Sequence, residues 1–286
     1  MSDEQVRWLL KVIQPERTLA SLPGGAGLGQ AAQAGLLNLP VELYAAEIGR
    51  MQREASEAAD ALLADEAVAS MVDRLPLRKG AKVVAFGDSL TSDPQSWAVI
   101  LRDMLAKRRG KDGISLTISA VAGETTTHGL VRIANVIHSR PDWILFLFGT
   151  NDARMQGPHP TKTLVHREET ARNMAELRQR VSGETAANCV WITPPAVNEG
   201  QVAAHPGLAR FGVRFRNEDL AHVAGIVRES DGPVIDAFST LGSPPPFDLL
   251  MDDGLHFTLA GQTRLALEVI RGWSALPLPP GLDAAP

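Results

Sequence analysis

From residue 82 onward the chain alternates between short, nearly uninterrupted apolar runs and longer stretches whose apolar residues return every three or four positions. The runs KVVAFG (82–87), SLTISAV (115–121), WILFLF (143–148), NCVWIT (188–193) and PVIDA (233–237) read as strands, and their continuous apolarity suits burial on both faces. PQSWAVILRDMLAKRR, THGLVRIANVIHSR, REETARNMAELRQRV, RNEDLAHVAGIVRES and TLAGQTRLALEVIRGW read as the helices that follow them. The first of these helices comes after Ser92-Asp93-Pro94, which makes Asp93 the expected cap. Strand and helix alternating five times predict a five-stranded parallel sheet covered on both faces, a three-layer α/β/α sandwich. In open sheets of this kind ligands gather beyond the carboxyl ends of the strands.

Residues 1–80 have a different pattern. Two helical stretches flank SLPGGAGLG, and in the second Val41, Tyr44, Ile48, Met51, Ala55, Ala58 and Leu62 follow one helix face. This region is expected to be a helical extension packed on an α/β domain of residues 81–275; a homo-oligomerisation or partner-binding arm is the alternative. Gly24, Gly25, Gly27 and Gly29 read as a loop, since no strand precedes them and dinucleotide-binding spacing is not met. The tail 276–286, LPLPPGLDAAP, reads as disordered.

The formal charge of -5 removes any general attraction to nucleic acid or to an anionic membrane. No stretch approaches the roughly 18 apolar residues of a membrane span, and the start MSDEQVRWLLKVIQ lacks a secretory apolar core, so a cytoplasmic location is the default expectation. The one cysteine, Cys189, excludes a disulfide framework and a cysteine-rich zinc site, and its apolar run makes it a packing residue. No metal-ligand spacing emerges among the histidines, and no cofactor is implied. Trp97, Trp143 and Trp191 are expected in the core.

Chemistry enters at VAFGDSLTSDP, where the first strand stops at Gly-Asp-Ser. Ser89 there is either a turn cap or a nucleophile, and a nucleophilic serine needs a base within reach and a third group to orient that base. LLMDDGLHFTLAGQ supplies such a pair, Asp253 and His256, in a loop before the last helix, with Asp252 as a competitor for the orienting role. Acyl transfer also needs donors for an oxyanion. Gly123, after the second strand, offers a backbone N–H unobstructed by a side chain, and Asn151, after the third, offers a side-chain amide. Asp152 is expected to brace the loop holding Asn151, and Arg154 to meet either a polar substrate group or a surface partner. Two long connections, 153–165 and 194–215, suit loops that wall a substrate pocket.

Four blocks in this order resemble the SGNH (GDSL) hydrolase family: Gly87-Asp88-Ser89-Leu90, Gly123, Gly149-Thr150-Asn151-Asp152 and Asp253-Gly254-Leu255-His256. The resemblance spans about residues 82–272 and leaves the N-terminal region unmatched. It departs from the family at Ala122, where serine is common, and at Phe257, where proline is common. The resemblance implies a flavodoxin-like fold and a catalytic triad of Ser89, His256 and Asp253. The Ser89 and Gly123 N–H groups and the Asn151 amide would then form the oxyanion hole. It further implies a cofactor-independent serine esterase acting on a small-molecule ester: a small acyl ester, an acetylated sugar or a lipid. An acyltransferase, thioesterase or lysophospholipase would use the same triad, and a non-catalytic binding protein is the alternative of another class.

Overall fold

A computed structural model describes residues 1–19 and 27–277. Gly24, Gly25 and nearly all of the tail expected to be disordered lie outside the described residues. Among its described residues the N-terminal region forms the helices α1 (Asp3–Val12), α2 (Pro15–Thr18), α3 (Gln30–Leu36), α4 (Val41–Leu63) and α5 (Glu66–Asp73). The remainder alternates as the apolar pattern requires. β1 (Lys82–Gly87) leads into α6 (Ser89–Ser92) and α7 (Trp97–Arg108), β2 (Ser115–Ala120) into α8 (Thr126–His138), and β3 (Trp143–Leu147) into α9 (Arg167–Glu184). After β4 (Asn188–Ile192) come the short α10 (Glu199–Ala204) and α11 (Pro206–Ala209), then α12 (Asn217–Arg228). The two-residue β5 (Val234–Ile235), α13 (Ala237–Leu241) and α14 (Leu259–Ser274) complete the order.

All strand pairs are parallel, in the order β2-β1-β3-β4-β5. Alternate side chains of β1 enter opposite cores, as the two-residue period dictates. Val83 and Ala85 join α5, α7 and α14, whereas Val84 and Phe86 join α8, α9 and α12. Trp97, Trp143 and Trp191 are all buried in these cores. Cys189 is half-buried among apolar neighbours, and burial pushes its thiol up to about 12, outside the range of a reactive thiolate.

The stripe on α4 serves two cores. Tyr44 and Met51 close a small third cluster with Val6 and Leu10 of α1 and Ala34 of α3, while Ala55 and Ala59 join the sheet-side core with α7 and α14. The N-terminal helices are thereby packed onto the α/β body by small side chains that permit close helix approach.

Contrary to the expectation from its position in the sequence, Asp93 does not cap the helix after Pro94. α7 begins at Trp97 with Ser96 as its N-cap, and Asp93 instead turns the preceding loop, accepting from the Gln95 N–H at 2.7 Å. The extra turn of helix, α6, displaces the start of α7 beyond Pro94.

At the end of β1 the backbone leaves no space for a side chain. A Cβ on Gly87 would lie 2.6 Å from the Leu147 carbonyl of β3 and 2.6 Å from Thr91 Oγ1 of α6. Gly87→Ala is therefore expected to destabilise the fold by about 1–3 kcal/mol, read as a lowered urea midpoint at unchanged slope. An unchanged midpoint would show that the strand end yields without strain.

Candidate active site

Four loops at the carboxyl end of the sheet, the last of them just before α14, bring the predicted residues together. Asp88 ends the strand run, and its Oδ1 accepts from the Leu90 N–H at 3.1 Å, which turns the chain into α6 and sets Ser89 at the first helical position. The second and third loops follow β2 and β3.

Asp253 builds its own turn. Its Oδ1 accepts from the N–H groups of Leu255 and His256, both at 2.9 Å, a local fold that aspartate side chains favour. Gly254 adopts φ +68°, and a Cβ there would lie 2.6 Å from Gln201 Cβ and 2.7 Å from the Asn198 carbonyl. The Asp253–His256 loop is thus pressed against the start of α10, whose Asn198 N–H donates to the Gly254 carbonyl at 2.8 Å. Loop closure continues through the Met251 N–H, which donates to the His256 carbonyl at 2.8 Å.

The result is a continuous hydrogen-bonded chain. His256 Nε2 lies 3.2 Å from Ser89 Oγ, and His256 Nδ1 lies 2.6 Å from Asp253 Oδ2. All three side chains are buried, Asp253 completely. Burial alone pulls the imidazole down, but the charge and hydrogen bond of Asp253 outweigh it, with Asp93 and Asp88 adding, so His256 titrates above its ordinary value. Burial likewise pushes Asp253 up, and His256 with the two backbone donors more than reverses this, holding the carboxyl well below the usual range. Asp252, the competitor, is exposed and takes no part in this chain.

Gly123 has φ +81°, and a Cβ on it would meet nothing within 4 Å, so its backbone borders open space. The N–H groups of Ser89 and Gly123 find no acceptor among the described residues. Asn151 Nδ2 is 3.0 Å from the Glu124 carbonyl, which fixes the amide, and 3.5 Å from Asp88 Oδ2, the limit of a hydrogen bond. Burial pushes the Asp88 carboxyl up to about 7.

Several supporting contacts were not legible from spacing. Glu124 is held by a forked ion pair with Arg132, whose Nε donates at 2.7 Å while its guanidinium stacks 4.9 Å from the Phe86 ring centroid. Asp152 braces the third loop as expected. It accepts from the Thr126 N–H at 2.9 Å, from the Thr126 hydroxyl, and from the Thr170 hydroxyl at 3.0 Å, joining α8 and α9 to the loop. Arg154 is half-buried, and its Nε has no hydrogen-bond partner among the described residues. The two long connections pair with each other, Met155 bridging Arg214 through N···O contacts of 2.8 and 2.9 Å. Lys11 and Trp8, from the N-terminal helix, also reach this region: Lys11 Nζ lies 2.8 Å from Asp93 Oδ2, and Trp8 Nε1 lies 2.7 Å from Asp253 Oδ2. Neither had a signal in the local sequence, because both contacts are made across the whole fold.

Among the described residues no cluster of histidine, cysteine or carboxylate side chains is arranged to hold a metal ion, and no helix is long and apolar enough to cross a membrane.

Solved structures with this architecture include a lipase/acylhydrolase from Enterococcus faecalis, 22% identical over 68% of this chain and 95% of that one, with a TM-score of 0.54. The acetylxylan esterase Axe2 from Geobacillus stearothermophilus is 19% identical over 74% of this chain and 99% of its own, with a TM-score of 0.53. LAE5, an alpha/beta hydrolase enzyme from the metagenome of Lake Arreo, Spain, is 19% identical over 71% and 99%, at a TM-score of 0.54. No curated protein matches the chain by sequence. The GDSL-like Lipase/Acylhydrolase family matches residues 85–264, from the first strand into the last helix and across every block described above. The chain belongs to the GDSL (SGNH) hydrolases and is a serine hydrolase acting on esters.

Proposed function

We propose that the protein is a serine esterase that cleaves a carboxylic ester through an acyl-enzyme on Ser89. The observation that carries this reading is the buried chain Ser89–His256–Asp253, with contacts of 3.2 and 2.6 Å. Ser89 Oγ attacks the ester carbonyl while its proton passes to His256 Nε2, and the carbonyl electron pair moves onto oxygen. The oxyanion is received by the free N–H groups of Ser89 and Gly123 and by the Asn151 amide, whose contact to Asp88 is long enough to exchange for a stronger acceptor. Collapse breaks the ester C–O bond, and the leaving alcohol takes the proton from His256. Water then attacks the acyl-enzyme with His256 again as base, which releases the carboxylic acid and restores Ser89. Small acyl esters, including acetylated sugars, and lipid esters are the substrate classes that the family and the names of the structural neighbours support.

A fluorophosphonate is expected to add once to wild type and not to Ser89→Ala, by intact mass. The same variant should lose turnover of p-nitrophenyl acetate, butyrate and octanoate. An unlabelled wild type that is demonstrably folded would favour the binding-protein reading, and an alcohol acceptor added to the assay separates hydrolysis from acyl transfer by its ester product.

Asn151→Ala is expected to lower kcat by about a hundredfold or more, the usual cost of one oxyanion donor, with unchanged unfolding; near-normal turnover would remove Asn151 from the oxyanion hole.

The pH dependence has a definite sign. His256 must be neutral to act as base, and Asp253 raises its pKa, so the acid limb of kcat/KM should fall above the ordinary imidazole value of about 6.5. In Asp253→Asn the charge is gone and burial remains, so the limb should move to lower pH while kcat drops. A limb that stays in place would mean that another group controls it.

A further inference from the structure

The family match begins at Ala85, yet the hydrogen-bond shell of Asp253 is completed from residue 8. Oδ1 takes the two N–H groups of its own loop, and Oδ2 takes His256 Nδ1 at 2.6 Å and Trp8 Nε1 at 2.7 Å. The first three donors are local, whereas the fourth crosses 245 positions of sequence. A place has been made for the indole. Its ring packs at 42° on the His205 ring, with centroids 5.1 Å apart, and a Cβ on Gly207 would come within 2.8 Å of Trp8 Cη2.

The same N-terminal segment grips the other half of the site. Lys11 Nζ, one helical turn beyond Trp8, lies 2.8 Å from Asp93 Oδ2 and 3.0 Å from Gln95 Oε1. Gln14 Oε1 then accepts from Ser92 Oγ at 2.6 Å. Ser92 ends α6, the turn that begins with Ser89. One short segment therefore ties the nucleophile's turn to the loop of the base, and it is itself held by a Ser2–Gln5 capping box and by buried Val6 and Leu10.

We infer that Trp8 is a positioning residue of this hydrolase, acting through Asp253, and that α1 is an integral part of the active site. The inference rests on the triad reading above. The indole N–H fixes the plane of the carboxylate and therefore the His256 ring, and it takes up part of the negative charge that Asp253 otherwise directs at the imidazole.

The test compares wild type, Trp8→Phe and Ser89→Ala in kcat, KM and the pH profile of kcat/KM on p-nitrophenyl acetate. Phenylalanine keeps an aromatic ring against His205 and Gly207 but has no donor. Trp8→Phe is expected to lose about tenfold in kcat with KM within about twofold, in the range for a hydrogen bond to a charged group. Its acid limb should move to higher pH, because the undivided charge of Asp253 stabilises the imidazolium. Gly207→Val keeps the tryptophan but, with a Cβ 2.8 Å from Trp8 Cη2, forces its ring to shift, and should produce the same upward movement without depending on the folding of Trp8→Phe. If Ser89→Ala is inactive while Trp8→Phe matches wild type in both kcat and acid limb, the role of Trp8 is overturned and the triad stands. If Ser89→Ala retains turnover, the triad reading falls and this inference falls with it.

Discussion

A carboxylate withdrawn completely from water must be given hydrogen bonds for its lone pairs, or it will protonate and lose its charge. Asp253 is in that position, and its surroundings are arranged to supply the donors. Its loop turns so that two main-chain N–H groups face Oδ1, a left-handed glycine lets the loop pack on α10, and the N-terminal helix brings an indole to Oδ2. With the charge secured, His256 is oriented toward Ser89 and its basicity is raised.

Asp253 is one of four buried carboxylates near the carboxyl end of the sheet, with Asp88, Asp93 and Asp152, and each is handled differently. Asp93 is matched by a buried lysine, Lys11, so removal of either partner would strand a charge. Asp152 is surrounded by hydroxyl and amide donors from α8 and α9. Burial raises Asp152 as well, and Asp88, with fewer donors, is pushed up to about 7. The field at His256 is consequently dominated by Asp253, the carboxylate in direct contact, while Asp88 and Asp93 add to it.

The N-terminal helices change the meaning of the family fold in this chain. α4 and α5 contribute Ala55, Ala59, Val68 and Val72 to the same apolar cluster as α7 and α14, and α1 reaches Asp253 through Trp8. Loss of α1 would remove the Trp8 partner of Asp253 and the Lys11 partner of Asp93, and Gln14, just beyond α1, is the partner of Ser92.

The amino-acid sequence by itself determined the layer architecture and marked Ser89, Asp253 and His256, the side chains that the fold brings into one hydrogen-bonded chain. Short continuous apolar runs alternating with segments of helical period fit strands covered on both faces, and a serine, an Asp-x-x-His pair and two strand-end donors, once brought together, make an arrangement suited to acyl transfer. The close approach at the end of β1, the start of α7 at Trp97 and the pairing of the two long connections were decided by packing, which overrode the local preference that made Asp93 a cap. Only the tertiary structure could join Trp8 to Asp253 and Lys11 to Asp93. A local pattern records which face of a helix is apolar, but the partner of a polar side chain on that helix is set by where the whole chain brings its distant segments.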